Sequence, residues 1–258
     1  MYIRAMEKAL VAVILCSLSF MSCAQSGATG NANTKNSKQN SQLSLEQSKK
    51  LMTPTLYVIP TFNIDKMQCS SKKIIKDESG KNLFEACSSV YENCELEGTC
   101  QIQQGGKKVL LNVGSIQQGQ RRFNVVNDSA CVYGHGARRD QVAGYKTMCL
   151  DPFRSVAADL RIYNLGDVIY VPAVVGVKLP DGSIHDGYFI VRDTGGAIKG
   201  YGRFDFFIGF TAVNSDSNPF KELGFGDKDT NLPYYVVKAP EATEYLKKRN
   251  FPLIPVSK

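Results

Sequence analysis

The sequence predicts a mainly β fold, in which a compact barrel follows a cysteine-bearing accessory lobe. Short apolar runs rich in Val, Ile, Tyr and Phe recur in the second half of the chain, separated by Gly, Pro, Asn and Asp. Only residues 239–251 in that half have the pattern of a helix. Before it, four cysteines lie between positions 69 and 100. A hydrophobic content of 43% is sufficient to build a folded core.

Residues 1–22 have the pattern of a signal peptide. Arg4 and Lys8 precede an apolar run, 9–20, that is too short to span a bilayer. The run ends in Ser-Phe-Met-Ser-Cys, which resembles the lipobox of bacterial lipoproteins, so we expect Cys23 to be lipidated. The protein would then be exported and attached to a membrane through its lipid, in the cell envelope at the outer membrane facing the periplasm. The alternative is an ordinary signal peptide cleaved nearby.

Residues 23–53 form the predicted linker between this anchor and the folded part. The segment is rich in Ser, Asn, Gln and Gly and has too few apolar residues to offset the entropy of ordering. The formal net charge of the chain is +7. Because no nucleic-acid motif and no tryptophan accompany this charge, we expect no nucleic-acid binding. The net positive charge favours attraction to an anionic polymer such as the cell wall instead.

Residues 54–119 are predicted to form the accessory lobe. Residues 55–64 and 107–114 read as strands, and residues 82–100 between them as a stapled helix and loop. An even number of cysteines in an exported chain predicts three disulfides, with fifteen possible connectivities. A zinc site is disfavoured because no Cys-x-x-Cys pair exists and the chain has two histidines. The six cysteines are Cys69, Cys87, Cys94, Cys100, Cys131 and Cys149.

Residues 120–258 contain the predicted barrel. Strand-like runs occur at 121–127, 167–179, 187–194, 203–210 and 234–239, and residues 179–183 have the chemistry of a hairpin turn. The helix at 239–251 has Pro240 near its first turn and basic residues near its end, an order that the helix dipole favours. We expect His135, Arg138 and Arg139 to lie in an exposed basic loop, and His185 to be solvated beside the hairpin turn.

The stretch from Asp193 to Asp205 carries the chemistry. Residues 193–200 read Asp-Thr-Gly-Gly-Ala-Ile-Lys-Gly, which resembles the three-aspartate (3D) domain of the membrane-bound lytic transglycosylase A family. The resemblance covers about residues 149–210, in which Asp159, Leu165, Gly166 and Pro172 fall in register. The sequence departs from the family in having Leu160 where a proline is usual. In addition, Asp205 follows Asp193 by twelve residues rather than eleven, and we expect the extra residue to lie in Tyr-Gly-Arg, 201–203, where Gly202 could absorb it as a bulge.

The resemblance implies a six-stranded double-psi β-barrel that acts on peptidoglycan glycan strands without a metal or cofactor. It implies cleavage of the MurNAc-GlcNAc β-1,4 bond with a 1,6-anhydro product. A carboxyl can protonate the leaving oxygen near neutral pH only if burial or a neighbouring charge raises its pKa. By resemblance, Asp205 is the acid and Asp193 its catalytic neighbour. The substrate-binding candidates are Asp159, Thr194, Gly195, Gly196, Lys199 and Gly200.

Three other interpretations of these aspartates remain open. They could be structural, because Asp often ties turns to backbone amides. An aspartic protease would need two Asp-Thr-Gly motifs, and the chain has one, so only a symmetric dimer would serve. A barrel that binds wall polysaccharide without cleaving it, as expansin-like and barwin-like modules do, is the main alternative to an enzyme.

Overall fold

The computed structural model describes residues 50–138, 147–210 and 218–255, excluding the side chains of Arg138 and Thr147. The predicted signal peptide, Cys23, most of the linker and Arg139 lie outside the described residues. Within the described ranges, no helix has both the length and the apolar character needed to cross a membrane. The described residues fall in one compact unit.

Strands dominate the described chain and two α-helices accompany them. The helices are α1 (Ser88–Glu97) and α2 (Glu241–Lys248). The strands are β1 (Lys50–Tyr57), β2 (Thr61–Asn63), β3 (Lys72–Lys76), β4 (Asn82–Cys87), β5 (Thr99–Gln104), β6 (Lys107–Gln117), β7 (Gln120–Val125), β8 (His135–Arg138), β9 (Thr147–Cys149), β10 (Ser155–Ala157), β11 (Val168–Tyr170), β12 (Tyr188–Asp193), β13 (Arg203–Phe207) and β14 (Leu232–Val237).

Six strands close into a barrel in the order β1-β13-β10-β12-β11-β14, which confirms the predicted fold class. The pairs β1–β13 and β10–β12 are parallel, and the other four are antiparallel. Closure leaves no free edge among the six strands. Inward aromatic side chains fill the core, among them Phe189, Phe204 and Phe206, each fully buried.

The first barrel strand comes from an unexpected part of the chain. β1 spans Lys50–Tyr57, which the sequence assigned to the linker and the accessory lobe, yet it pairs with both β13 and β14. The barrel therefore begins near residue 50 rather than 120, and the lobe is an insertion between β1 and the remaining barrel strands. Composition could not reveal this, because the pairing joins residues about 150 positions apart.

The accessory lobe is a sheet in the order β2-β5-β6-β7, accompanied by the hairpin β3–β4 and by α1. Val90, Tyr91 and Cys94 of α1 are buried in its core. Disulfides Cys69–Cys87 and Cys94–Cys100 tie the lobe internally, and Cys131–Cys149 lies beside β8 and β9. The structure thus selects one of the fifteen possible connectivities, and each bridge joins cysteines that are 6 or 18 positions apart.

A small hydrophobic cluster joins the lobe to the barrel. Ile59, Leu110, Leu150 and Phe207 are buried together, and the Tyr57 ring packs on Phe207 with centroids 5.2 Å apart. Leu110 belongs to the lobe strand β6, whereas Phe207 ends the barrel strand β13. The cluster thus packs the lobe against the β1–β13 side of the barrel.

Two local expectations were wrong. The run at 167–179 is a strand only over Val168–Tyr170, because a short 3-10 helix starts at Pro172, which has no N–H for a ladder. His185 is 1% exposed, not solvated: its Nε2 lies 2.7 Å from the Phe153 carbonyl, and Gly187 N–H donates to its Nδ1. Burial lowers the His185 pKa to about 4, so the imidazole is neutral at physiological pH.

Candidate active site

Asp193 and Asp205 lie on the two strands that flank β10, one on each side of Ala157. Ala157 of β10 pairs with Asp193 of β12 on one side and with Asp205 of β13 on the other. Paired residues point to the same side of a sheet and neighbouring strands lie about 4.8 Å apart, so the two aspartate Cα atoms are about 10 Å apart. The fold thus brings together the two residues that the sequence selected.

Asp193 is the better satisfied of the two carboxyls. Its Oδ2 accepts a hydrogen bond from the Tyr57 hydroxyl at 3.0 Å, and its Oδ1 accepts one from Thr194 N–H at 2.8 Å. Burial raises the pKa of Asp193 to about 6, the charge of Asp205 adds to the rise, and the two hydrogen bonds oppose it. Asp193 therefore changes charge close to neutral pH.

Asp205, in contrast to Asp193, has a carboxyl oxygen that no hydrogen-bond donor satisfies among the described residues. Its Oδ1 is buried and has no hydrogen-bond partner among the described residues. Burial raises the pKa of Asp205, and the neighbouring Thr55 hydroxyl and Arg203 guanidinium offset part of the rise. The Thr55 hydroxyl itself donates to the Phe204 carbonyl at 3.0 Å. A buried oxygen without a donor disfavours the ionised carboxylate, so the local structure helps Asp205 to keep its proton.

Two residues near this pair were missed by the sequence analysis. Tyr57 ends β1, and burial followed by the charge of Asp193 raises its pKa well above 10, so it remains a hydrogen-bond donor. Glu97 ends α1 in the accessory lobe, where burial and then the charge of Asp205 raise its pKa. No local motif marks either residue. The charge of Asp205 therefore reaches an exposed carboxyl of the accessory lobe.

Asp159, the third aspartate, is occupied by internal contacts. Arg161 donates to it through Nε at 2.9 Å and Nη2 at 2.6 Å, and Gly200 N–H donates at 2.9 Å. The Arg161 side chain, followed by Gly200 N–H, holds the Asp159 pKa well below its usual range. With a side chain 2% exposed, Asp159 fastens the 193–200 loop to the 159–161 turn. These contacts agree with the structural interpretation of this aspartate rather than with its assignment to substrate binding.

The 193–200 loop has two accessible glycines and one exposed cationic side chain. Gly196 and Gly200 have open space where a Cβ would stand, and Gly200 has a φ of +93°, a conformation that favours glycine. At Gly195, a Cβ would approach the Ile198 side chain to 3.0 Å. The Thr194 hydroxyl donates to the Ala158 carbonyl at 3.0 Å, and Lys199 is exposed. A ligand could therefore approach the loop at Gly196 and Gly200, whereas Thr194 is engaged with the barrel.

Gly202, the predicted place of the extra residue, lies just before β13 begins. Gly202 has a φ of +65°, and its Cβ would lie 2.3 Å from the Leu51 carbonyl, so glycine is required there. β13 then pairs with β1 without a bulge, and Thr55 stands opposite Asp205. Gly202 thus forms a turn and not a bulge, and the position of the extra residue stays a prediction.

Among the residues that the structure describes, one cluster has the side-chain types of a metal site. Ligand atoms of Asp128, Cys131 and His135 lie within 4.8 Å of one another. The sulfur of Cys131 is bonded to Cys149, however, and His135 Nε2 pairs with Asp128 Oδ2 at 3.2 Å. A disulfide sulfur is not a thiolate ligand, so this oxidised arrangement does not fit zinc. His135 itself is half-buried at the start of β8, not in an exposed loop.

The described chain thus combines a closed barrel with two carboxyls on the strands that flank β10, one with both oxygens hydrogen-bonded and one with a buried oxygen that has no described partner. Residues 154–217 match the family model of the 3D domain, which confirms the resemblance drawn from the 193–200 motif. The match covers about a quarter of the chain and includes Asp159, Asp193 and Asp205. No curated protein is close enough in sequence to count as a relative.

Three solved structures show a distant overall likeness. MltA of E. coli with bound chitohexaose is 12% identical, with 80% of this chain and 83% of that chain covered and a TM-score of 0.49. A membrane-bound lytic murein transglycosylase from Agrobacterium tumefaciens is 13% identical, with coverages of 80% and 81% and a TM-score of 0.42. The lytic transglycosylase LtgG of Burkholderia pseudomallei is 12% identical, with coverages of 73% and 71% and a TM-score of 0.36.

Proposed function

We propose that this protein is a lytic transglycosylase that cleaves the glycan strands of peptidoglycan, with Asp205 as its acid and base. The observation that carries the proposal is the buried, unpartnered Oδ1 of Asp205 beside the hydrogen-bonded Asp193. A carboxyl in that setting holds a proton that it can deliver to a leaving oxygen. The match of residues 154–217 to the 3D domain supports the same assignment.

The proposed reaction needs one proton carrier. Asp205 gives its proton to the glycosidic oxygen of the MurNAc-GlcNAc β-1,4 bond as that bond breaks, and C1 of the MurNAc unit develops positive charge. The C6 hydroxyl of the same sugar then bonds to C1 and returns its proton to Asp205, which leaves a 1,6-anhydro end. Most glycosidases use a second carboxylate as nucleophile or water activator, which this route does not require.

Asp193 and Glu97 have supporting roles in this proposal. The charge of Asp205 raises the pKa values of Asp193 and Glu97, and because such coupling is mutual, an ionised neighbour disfavours ionisation of Asp205 in turn. Ionised Asp193 also stabilises the positive charge that develops at C1. Asp193 keeps its position because Tyr57 and Thr194 N–H hold its two oxygens separately.

Digestion of purified peptidoglycan by the purified protein, followed by mass spectrometry of the products, tests the proposal. Muropeptides with 1,6-anhydro ends support a transglycosylase. Reducing ends identify a hydrolase instead, in which water replaces the C6 hydroxyl. If no product is released and the protein pellets with the polymer, the domain is a glycan-binding module and its aspartates are structural.

A further inference from the structure

A cavity outside the aspartate pair has its own set of charged side chains. It encloses about 560 Å³, within the range of small-molecule sites. Its wall comes from the 151–154 turn, the 179–183 turn, residues 208–210 and the C-terminal residues Arg249, Ile254 and Pro255. Ile208 follows Asp205 by three residues, so this wall begins within about 10 Å of the proposed acid.

Charged side chains of both signs line the cavity, namely Asp151, Arg154, Asp181 and Arg249. Arg154 is 6% exposed and donates to Asp186 at 2.5 Å, while Arg249 Nε donates to Asp151 at 3.1 Å. Asp181 has its pKa lowered first by a hydrogen bond from Ser183, and the charges of both arginines lower it further. The wall thus contains two guanidinium groups, each bonded to an aspartate, and the carboxylate of Asp181, which both positive charges stabilise.

The charged side chains of the cavity keep hydrogen-bonding groups that a ligand could use. A guanidinium has five N–H donors, and Arg249 uses Nε and Nη2 on Asp151. Among the described residues, Nη1 of Arg249 has no protein partner. The Asp181 side chain lies in an exposed turn, with its Oδ1 accepting from Ser183. Apolar wall is supplied by Leu179 and Ile208.

We propose that this cavity binds an α-amino-acid group carried by a short peptide, with the ligand carboxylate on Arg249 and its ammonium on Asp181. An anion alone would meet the carboxylates of Asp151 and Asp181, and a cation alone would meet the arginines, so only a group with both charges matches the wall. The proposal rests on the proposed function for its substrate, since the peptide arms of peptidoglycan are short and are attached to the same glycan. Diaminopimelate in such an arm ends in a free α-amino-acid group, whereas lysine at the same position ends in an ammonium alone.

Calorimetric titration of the purified protein with two tripeptides tests this proposal without any cleavage. The probes are L-Ala-γ-D-Glu-diaminopimelate and L-Ala-γ-D-Glu-L-Lys. We expect the diaminopimelate peptide to bind about tenfold more tightly, because only its side chain carries a carboxylate and an ammonium on one carbon, which can meet Arg249 and Asp181 together. Equal affinities, or no binding of either peptide, would overturn the proposal.

Variants locate the binding in the cavity. Asp181→Asn keeps the turn acceptor for Ser183 and removes the charge, so affinity for the diaminopimelate peptide should fall about tenfold. Val132→Trp fills the mouth from an exposed position and should abolish binding. Asp227→Asn is the matched control, since Asp227 accepts from Asp229 N–H in a similar exposed turn outside the cavity. Undiminished binding in both cavity variants would place the peptide elsewhere.

The two proposals fail separately. Peptide binding in a protein that releases no glycan product would retain the cavity site and remove the transglycosylase. Anhydro products from a protein that binds neither tripeptide would retain the transglycosylase and remove the cavity site.

Discussion

The hydroxyl of Tyr57 donates a 3.0 Å hydrogen bond to Oδ2 of Asp193, from a residue 136 positions earlier in the chain. Tyr57 ends the strand that closes the barrel, so the fold itself delivers this donor to the candidate site. The bond stabilises the ionised form of Asp193 and opposes the effect of burial on its pKa. The charge state of Asp193 therefore depends on the correct closure of the barrel.

Tyr57→Phe should raise the pKa of Asp193 further, because the ionised carboxylate loses a donor. If ionised Asp193 assists cleavage, the acidic limb of the activity profile should move to higher pH by about one unit. Anhydro-product release measured from pH 4 to 8 checks this. Tyr91→Phe is the matched control, because it also removes a buried hydroxyl bonded to Arg121, but in the lobe. The control should leave the profile in place, and an unmoved profile in Tyr57→Phe would contradict the role of this bond.

Asp205→Asn should lower glycan cleavage by a factor of roughly 10² to 10⁴, the usual contribution of a general acid. The amide keeps the size of the side chain but cannot supply the proton, so folding and glycan binding should change little. Product release, melting temperature and co-sedimentation with peptidoglycan measure the three properties. Cleavage at the wild-type rate would move the catalytic assignment to Asp193.

Asp193→Asn should affect stability in a pH-dependent way. The folded pKa of about 6 lies above the reference value of 3.8, so the folded state holds this proton more tightly than the unfolded chain. That stabilisation is complete below pH 3.8 and is lost as pH rises through 6, a change of about 3 kcal/mol at 1.4 kcal/mol per pKa unit. The variant has no such dependence but mismatches the Thr194 and Tyr57 donors, so activity and melting temperature should both fall.

The wild type should accordingly exceed Asp193→Asn in stability most clearly at pH 4, and the gap should narrow towards pH 7. Urea unfolding of both proteins at several pH values measures the gap. A gap that widens as pH rises would mean that the pKa of Asp193 is lowered in the folded protein.

Glu97→Gln should shift the alkaline limb of the cleavage profile to lower pH by a few tenths of a unit, because one like charge near Asp205 is removed. Coupling between two carboxyls is mutual, so the effect of Asp205 on Glu97 implies the reverse effect. Glu95→Gln, two residues earlier on α1 and paired with Arg121, is the control. Identical limbs in the Glu97 and Glu95 variants would exclude a role for the lobe carboxyl.

We also propose that Cys23 carries the lipid that attaches the protein to the membrane of the cell envelope. Cys23→Ser should then accumulate as an unlipidated precursor in the wrong fraction. Metabolic labelling with a fatty-acid analogue and membrane fractionation check this outcome. A serine variant that still incorporates the label would show that the lipid is elsewhere or that another segment directs attachment.

The sequence by itself determined the mainly β class, the disulfide count and the identity of the two central aspartates. These features are local: strand composition, an even number of cysteines and the 193–200 motif can each be read within a short window. The same window also predicted the turn at 179–183 and helix α2. It could not define the first barrel strand, since residues 50–53 adjoin a polar linker and show no sign of pairing with β13.

Only the tertiary structure decided how the aspartates differ. Whether a carboxyl is raised or lowered in pKa depends on burial and on donors that come from other strands, and these are set by pairings across most of the chain. Asp159 meets Arg161 and Gly200, Asp193 meets Tyr57, and Asp205 retains an oxygen with no partner among the described residues. The same fold buries His185, and the charge of Asp205 raises the pKa of Glu97 in the lobe. A one-dimensional pattern therefore selected the candidates, and the three-dimensional packing assigned each one its environment.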